Sequence, residues 1–161
     1  MAAAALIATL PGMRFFNQGQ LEGETIKVPV QLGRRLIEPA NAEIKSFYQK
    51  LLSITSQDVF HQQGWKLLEI KPAWENNWTH LNLIGYSWKS GSTICIVVIN
   101  LSSQPAQGYI FIPELDARTE SVVFDDRLND AVYYRNPQEI FRNGLYVDLY
   151  PYRSHIFDVR G

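Results

Sequence analysis

The chain has 161 residues, 46% of them hydrophobic, and a formal net charge of −1 at pH 7. The length fits one ordinary globular domain, or a small domain with an extra element attached, and the composition excludes an intrinsically disordered chain. The 15 basic and 16 acidic residues are spread along the sequence without a basic run, so nucleic acid is not an expected partner. A single cysteine, Cys95, excludes an intrachain disulfide.

The first ten residues, MAAAALIATL, are rich in alanine and predict a helix over Ala2–Thr9. The stretch lacks the positive start of a signal peptide, and its apolar run is too short to span a bilayer. We therefore expect a helix packed within the protein, no membrane partner and a cytoplasmic location.

Pro11 and Gly12 end this helix, because proline cannot continue it and glycine accepts the left-handed cap. Residues 13–16 (MRFF) are then predicted to form a short strand, which ends in the polar loop 17–20. In α/β folds, a polar loop at the carboxyl end of a buried strand is where substrates are bound. The two amide side chains of this loop, Gln18 and Gln20, are therefore candidate substrate-binding residues.

A second helix is predicted over residues 40–55, after an irregular segment 22–38. Asn41 marks its start. Its apolar side chains recur at helical spacing and form one face: Ile44, Phe47, Tyr48, Leu51, Leu52 and Thr55.

From residue 64 onward the pattern is that of β-structure. About eight strands are predicted, over residues 65–70, 81–89, 93–100, 108–112, 120–124, 131–135, 145–149 and 155–159. The run ICIVVI within the third is apolar at every position, which is typical of a strand covered on both faces. Short, regularly spaced strands without intervening helices indicate an antiparallel sandwich or barrel.

No metal site or cofactor is expected. The histidines His61, His80 and His155 fall at no metal-ligand spacing. The acidic turn that contains Asp126 and Asp130 lacks the EF-hand pattern. We expect that turn to be a solvated hairpin with side-chain-to-backbone hydrogen bonds.

The aromatic residues are the remaining signal. Trp65 and Trp88 lie in predicted strands, so we expect both to fill the core. Trp74 and Trp78 lie in the polar segment AWENNWTH, which is predicted to be a loop. Exposed tryptophans can stack on sugar rings, so these two are candidate substrate-binding residues; the alternative is packing against a neighbouring domain.

Taken in order, these features resemble the C-terminal end of glycoside hydrolase family 13, the α-amylase family. Gly12 is followed seven positions later by Gly19 and then Gln20, which matches the spacing at the end of that family's barrel. The segments DRLNDAVYYR and LYVDLYPYRSHIFDV are similar to the last strands of its domain C. Arg14 and Leu21 depart from the family's pattern, which has Pro and Glu there.

The resemblance implies a mainly β fold: an antiparallel β-sandwich like amylase domain C, preceded by a short helix–strand–helix remnant of a (β/α)8 barrel. Residues 1–56 would be the barrel remnant and residues 57–161 domain C. The family's three catalytic carboxylates lie on barrel strands that this chain does not contain. The resemblance therefore implies a non-catalytic C-terminal fragment of a glycosidase or glucanotransferase that acts on α-glucans. Such a fragment would have no catalytic residue of its own.

Three partners are expected on this interpretation. The first is the missing barrel of the parent chain, and the second is an α-glucan. The third is another copy of the chain, bound through exposed apolar side chains of residues 1–56. Two alternatives remain open: a free-standing carbohydrate-binding sandwich that uses Trp74 and Trp78, and a protein-interaction module without a sugar role.

Overall fold

The computed structural model describes residues 1–26, 38–116 and 119–161. Within these ranges the helices are α1 (Ala2–Thr9), α2 (Ala42–Thr55) and α3 (Pro137–Asn143). The strands are β1 (Trp65–Leu67), β2 (Glu69–Pro72), β3 (Leu83–Ser90), β4 (Thr93–Asn100), β5 (Ala106–Phe111), β6 (Val122–Asp126), β7 (Ala131–Arg135), β8 (Leu145–Leu149) and β9 (Ser154–Arg160). Most of the predicted irregular segment 22–38 lies outside the described residues.

The strands form two antiparallel sheets that pack face to face. The larger has the order β1-β3-β4-β9-β6-β7, and the smaller has the order β2-β5-β8. A two-residue turn, in which Gly91 has a φ of +58°, joins β3 to β4, as the spacing of the two strands predicts. The mainly β sandwich expected from the sequence is confirmed.

Strand β4 lies at the centre and has both faces covered. Cys95, Val97 and Ile99 point into a core shared with the two N-terminal helices. Ile96 and Val98 point into the core between the sheets. From Cys95 onward neither face of this strand meets water, as the continuous apolar run predicts.

The N-terminal helices cover the outer face of the six-stranded sheet. Alanines of α1 are buried against it, and their small side chains allow the helix backbone to approach closely. Helix α2 begins two residues later than predicted, and the Asn41 side chain accepts the Glu43 and Ile44 N–H groups, both at 3.1 Å. No helix in the described ranges is both long and apolar enough to cross a membrane.

The predicted strand 65–70 is two strands that belong to different sheets. Leu68 is the buried residue between them, and its N–H donates to the Gly85 carbonyl at 2.9 Å. A Cβ on Gly85 would lie 3.3 Å from Ile70 Cδ1, so the glycine leaves room for β2 to cross to the smaller sheet. The prediction of one continuous strand was wrong because residues 65–70 carry no turn signal at this crossing.

Two other predictions need correction, and one helix was missed. Residues 13–16 form no strand and pair with no strand of the described residues. Trp65 is 36% exposed because β1 is the edge strand of its sheet, whereas Trp88 is 2% exposed and lies in the core as expected. Helix α3 was not predicted, because seven residues are too few to show helical periodicity.

Candidate functional site

The polar loop after α1 is closed by its own hydrogen bonds. Gly19, with a φ of +83°, accepts the Glu24 N–H at 2.9 Å, and the Gln20 N–H donates to the Asn17 carbonyl at 3.1 Å. Positive φ is a conformation that glycine adopts without strain. The loop is therefore a compact turn rather than an open chain.

The two candidate glutamines of this loop differ. The Gln20 side chain accepts the Asn17 N–H at 3.1 Å and donates to the Tyr48 hydroxyl of α2 at 2.8 Å. The Gln18 side chain is exposed and forms no hydrogen bond with another described residue. Gln20 thus ties the loop to α2, whereas the Gln18 side chain lies at the surface.

Beside this loop, Arg14 joins the chain after α1 to the end of α2. Its guanidinium donates to the Thr55 carbonyl at 3.0 Å and to the Phe60 carbonyl at 3.1 Å. Burial lowers the pKa of Arg14, and the negative end of the helix dipole favours a cation at this position. In the sequence, Arg14 is only a departure from the family pattern, so its role in joining the chain after α1 to the end of α2 was not predicted.

A cavity of about 380 Å³ lies between this arginine and strand β3. Its lining within the described residues comprises Pro11, Gly12, Arg14, Phe60, His61, Gln62 and Trp88. No carboxyl group is among them, and glycoside hydrolysis requires two carboxyls at a defined separation. The cavity therefore does not supply the groups for that reaction.

Next to the cavity, hydrogen bonds attach α1 to β3. The Trp88 indole donates to the Thr9 carbonyl at 2.8 Å. The Thr9 hydroxyl donates to the Ala5 carbonyl at 2.6 Å and lies 2.5 Å from the Tyr86 hydroxyl. Because the one hydroxyl proton of Thr9 is donated to Ala5, the Tyr86 hydroxyl is the donor to Thr9, and burial raises the pKa of this phenol. The end of α1 is thereby fixed to the sheet.

The two candidate tryptophans lie in one exposed loop, residues 73–78, called the Trp loop below. Trp74 is 57% exposed and Trp78 is 69% exposed. Between them, the buried Asn77 side chain accepts the Thr79 N–H at 2.9 Å and the Thr79 hydroxyl at 2.6 Å. The Asn77 side-chain nitrogen is buried and has no hydrogen-bond partner among the residues that the structure describes. The structure thus holds both indoles at the surface on an ordered turn.

The acidic turn is held by side-chain-to-backbone hydrogen bonds, as predicted, but its central residue is not solvated. Asp126 is fully buried, and its carboxylate accepts the Leu128 N–H at 3.2 Å and the Ile156 N–H at 3.3 Å. The Asn129 amide and the His155 ring bind its second oxygen at 2.7 and 2.5 Å. Protein groups therefore occupy both carboxylate oxygens.

The structure does not bring the four candidate residues into one site. Gln18 and Gln20 lie beside the N-terminal helices on the six-stranded sheet, whereas Trp74 and Trp78 lie in the connection between β2 and β3. Their sugar-binding roles remain predictions. They concern two separate surfaces.

Comparison with known proteins identifies the fold. No family model matches the sequence, and no curated protein matches it significantly. Among solved structures, a noncanonic maltogenic α-amylase from Thermotoga neapolitana is similar to this chain with a TM-score of 0.74 and 15% identity, over 98% of this chain and 35% of that one. An α-amylase from Geobacillus thermoleovorans, complexed with acarbose, is similar with a TM-score of 0.69 and 12% identity, over 99% and 32%.

The chain spans about a third of the length of each amylase. At these identities the likeness concerns the fold. It includes the N-terminal helices as well as the sandwich, because it covers nearly all of this chain. The chain therefore has the antiparallel sandwich fold of α-amylase C-terminal domains.

Proposed function

We propose that this chain is the C-terminal part of an α-amylase-like glycosidase or glucanotransferase acting on α-glucans. In that enzyme it supports a catalytic barrel and performs no catalysis itself. The observation that carries the proposal is the likeness to two α-amylases over 98% and 99% of this chain, when it spans only about a third of either.

Residues 13–16 give the proposal a physical basis. Met13 is 95% exposed and Phe15 is 71% exposed. The two alternate residues point towards the protein. Arg14 donates a hydrogen bond to the end of α2, and the Phe16 ring packs against Tyr48 with ring centroids 6.0 Å apart. Burial thus alternates with the two-residue period of a strand, although no partner strand lies in the described residues. A barrel strand separated from its neighbours would have these properties.

The packing of helices α1 and α2 explains how the sandwich would support the barrel. Helices α1 and α2 share one buried core with strands β3 and β4. Any barrel whose last strand is formed by residues 13–16 would therefore rest on the six-stranded sheet through these helices. The separation into residues 1–56 and 57–161 is part of this proposal.

The activity of two purified proteins tests the proposal. The 161-residue chain should release no reducing sugar from starch or maltoheptaose. A protein encoded by the same reading frame extended upstream of Met1, through the preceding βα units, should release it. Turnover by the 161-residue chain that survives controls for contaminating amylase would contradict the proposal. So would an upstream region that encodes no βα units.

One observation favours a second candidate function, a carbohydrate-binding sandwich. Trp74 and Trp78 are both exposed on a turn that is held by hydrogen bonds. Aromatic side chains on a fixed turn lose less backbone freedom when they bind a ligand than those on a mobile loop. This function would need no barrel, and sugar binding by the 161-residue chain is the property that distinguishes it.

A further inference from the structure

The outer face of the three-stranded sheet carries a pattern of side chains that the barrel-support function does not use. Along β5, Ala106, Gly108 and Ile110 are buried, and the residues between them point to the opposite side. Strand β8 alternates in the same way. The outward side chains of these two strands, called the outer face below, are Gln107, Tyr109, Phe111, Tyr146 and Asp148.

Strand register places two rings side by side on this face. Tyr109 and Tyr146 are directly opposite each other in the β5–β8 ladder, with ring centroids 5.5 Å apart and planes inclined by 57°. The Phe111 ring is covered by the Lys71 ammonium, 4.2 Å from its centroid. The two tyrosines are therefore the aromatic surface available to a ligand, and that surface is bent.

A pair of hydrogen-bonding side chains adjoins the rings. Gln107 is opposite Asp148, and its amide nitrogen donates to the carboxylate at 2.9 Å. The second carboxylate oxygen of Asp148 can accept a hydrogen bond from a hydroxyl. Sugar rings present apolar C–H faces with hydroxyls at their edges, so this combination matches their chemistry.

The Trp loop is fixed at the same end of the sheet. The Gln107 N–H donates to the Thr79 hydroxyl at 3.0 Å, and that hydroxyl in turn donates to Asn77 at 2.6 Å. A buried donor without an acceptor, such as the Asn77 side-chain nitrogen, is costly. Because that nitrogen is buried, it lies inside the loop and not on the surface that a ligand would meet; the hydrogen bond from Gln107 is what holds the loop beside the outer face.

The charges of the face favour a neutral ligand. Its one cation from the three strands, Lys71, lies 3.7 Å from Glu69 and over the Phe111 ring. Asp148 is bonded by Gln107. A polymer of phosphates needs unpaired cations, whereas a polyhydroxyl chain needs none.

From this geometry we propose that the outer face and the Trp loop form a non-catalytic binding site for a single α-glucan chain. Tyr109 and Tyr146 stack on sugar units, Trp78 packs against the chain at one end, and Gln107 and Asp148 bind hydroxyls. The inclined rings fit the curved path of an α-1,4-linked chain better than the flat ribbon of a β-1,4-linked one. The choice of α-glucan rests on the proposed function.

The location of the site is compatible with an attached barrel. The outer face belongs to the smaller sheet, whereas α1 and α2 cover the far side of the larger one. A barrel resting on those helices would leave the outer face open. The site could therefore hold a long glucan while another part of the enzyme acts on it.

Calorimetric titration of the 161-residue chain with maltoheptaose and cellohexaose tests the proposal. Maltoheptaose should bind, and Tyr146→Ala and Trp78→Ala should each weaken binding about tenfold, as truncation of a central aromatic contact does. The matched control is Tyr134→Ala, because Tyr134 is an exposed tyrosine on β7 of the other sheet. It should leave the affinity unchanged. Thermal melting of each variant verifies that it is folded.

Three results would overturn the site: no binding of maltoheptaose by the folded chain, unchanged affinity in both folded aromatic variants, or equal affinity for cellohexaose. If one variant fails to fold, the other carries the test. The outcome is independent of the starch assay, because a folded chain that ignores maltoheptaose could still support a barrel. Conversely, a chain that binds it could lack upstream βα units.

Discussion

Gln20 provides the sharpest test of how the loop after α1 is held. Replacing it with alanine removes the bond to the Asn17 N–H at 3.1 Å and the bond to the Tyr48 hydroxyl at 2.8 Å. A neutral hydrogen bond contributes about 0.5–1.5 kcal/mol, and burying an unpaired partner costs more. Tyr48 is buried, so its hydroxyl would lose a partner that water does not readily replace.

We therefore expect Gln20→Ala to lower the free energy of unfolding by about 1–2 kcal/mol. For a chain of this size that corresponds to a decrease in Tm of about 2–8 °C. Urea denaturation and thermal melting measure the two quantities. Gln18→Ala is the matched control, and it should change the free energy of unfolding by less than about 0.5 kcal/mol, because the Gln18 side chain is exposed and bonds to no other residue that the structure describes.

A Gln20→Ala variant as stable as the wild type would refute this reasoning. The Tyr48→Phe variant and the double variant complete a cycle. If the two positions are coupled as the structure shows, the double variant should be less destabilised than the sum of the single variants. In a longer enzyme, an effect of Gln20→Ala on sugar affinity with Tm unchanged would instead restore Gln20 as a substrate-binding residue.

Three further predictions concern other contacts. Trp88→Phe removes the donor to the Thr9 carbonyl and should lower the free energy of unfolding by about 1–3 kcal/mol in urea denaturation; an unchanged value would contradict the attachment of α1 to β3. Burial, with neighbouring Asp125 as a smaller cause, raises the pKa of Asp158 despite the opposing Arg127 and Arg160, so folding disfavours the ionised form of this side chain relative to the unfolded chain. The stability that this carboxyl group contributes is complete below its unfolded pKa and is lost as pH rises through its folded pKa. Asp158→Asn should therefore raise Tm at pH 7, with a smaller gain near pH 3. A lower Tm at pH 7 would contradict this prediction. In the 161-residue chain, exposed Met13 and Phe15 should drive dimerisation in light scattering, which lysines at both positions should abolish; a monomeric wild type would contradict it.

Local patterns determined much of the fold. Alanine content and the stop at Pro11 predicted Ala2–Thr9, and helical spacing with the Asn41 cap predicted α2 within two residues. The doubly covered strand β4 followed from its continuous apolar run. In each of these segments, the residues that specify the structure are neighbours along the chain, so one sequence shows them.

Other features depend on contacts between distant residues. The strand break at Leu68 reflects a crossing between sheets. Asn136 caps α3, Pro137 occupies its first turn, and Gly144 follows it with a φ of +85°. These are helix boundary signals, but a segment this short shows no helical periodicity, so the sequence analysis predicted no helix between strands 131–135 and 145–149.

The candidate sites show the same division. The exposure of Trp74 and Trp78 followed from the polar residues around them. The bond between Gln20 and Tyr48 did not, because it joins residues 28 positions apart. The pairing of Tyr109 with Tyr146 needs the register of β5 and β8, which the sequence pattern does not specify.

The central proposal is that residues 13–16, which form no strand in this chain, become a barrel strand when a longer chain supplies its neighbours, and amide hydrogen exchange tests it most directly. In the 161-residue chain these amides form no hydrogen bond with described residues, so they should exchange rapidly, whereas those of β4 should be protected. In the protein extended upstream, the account predicts that the amides of residues 13–16 become protected together with the barrel. Equally rapid exchange in the folded longer protein would contradict it.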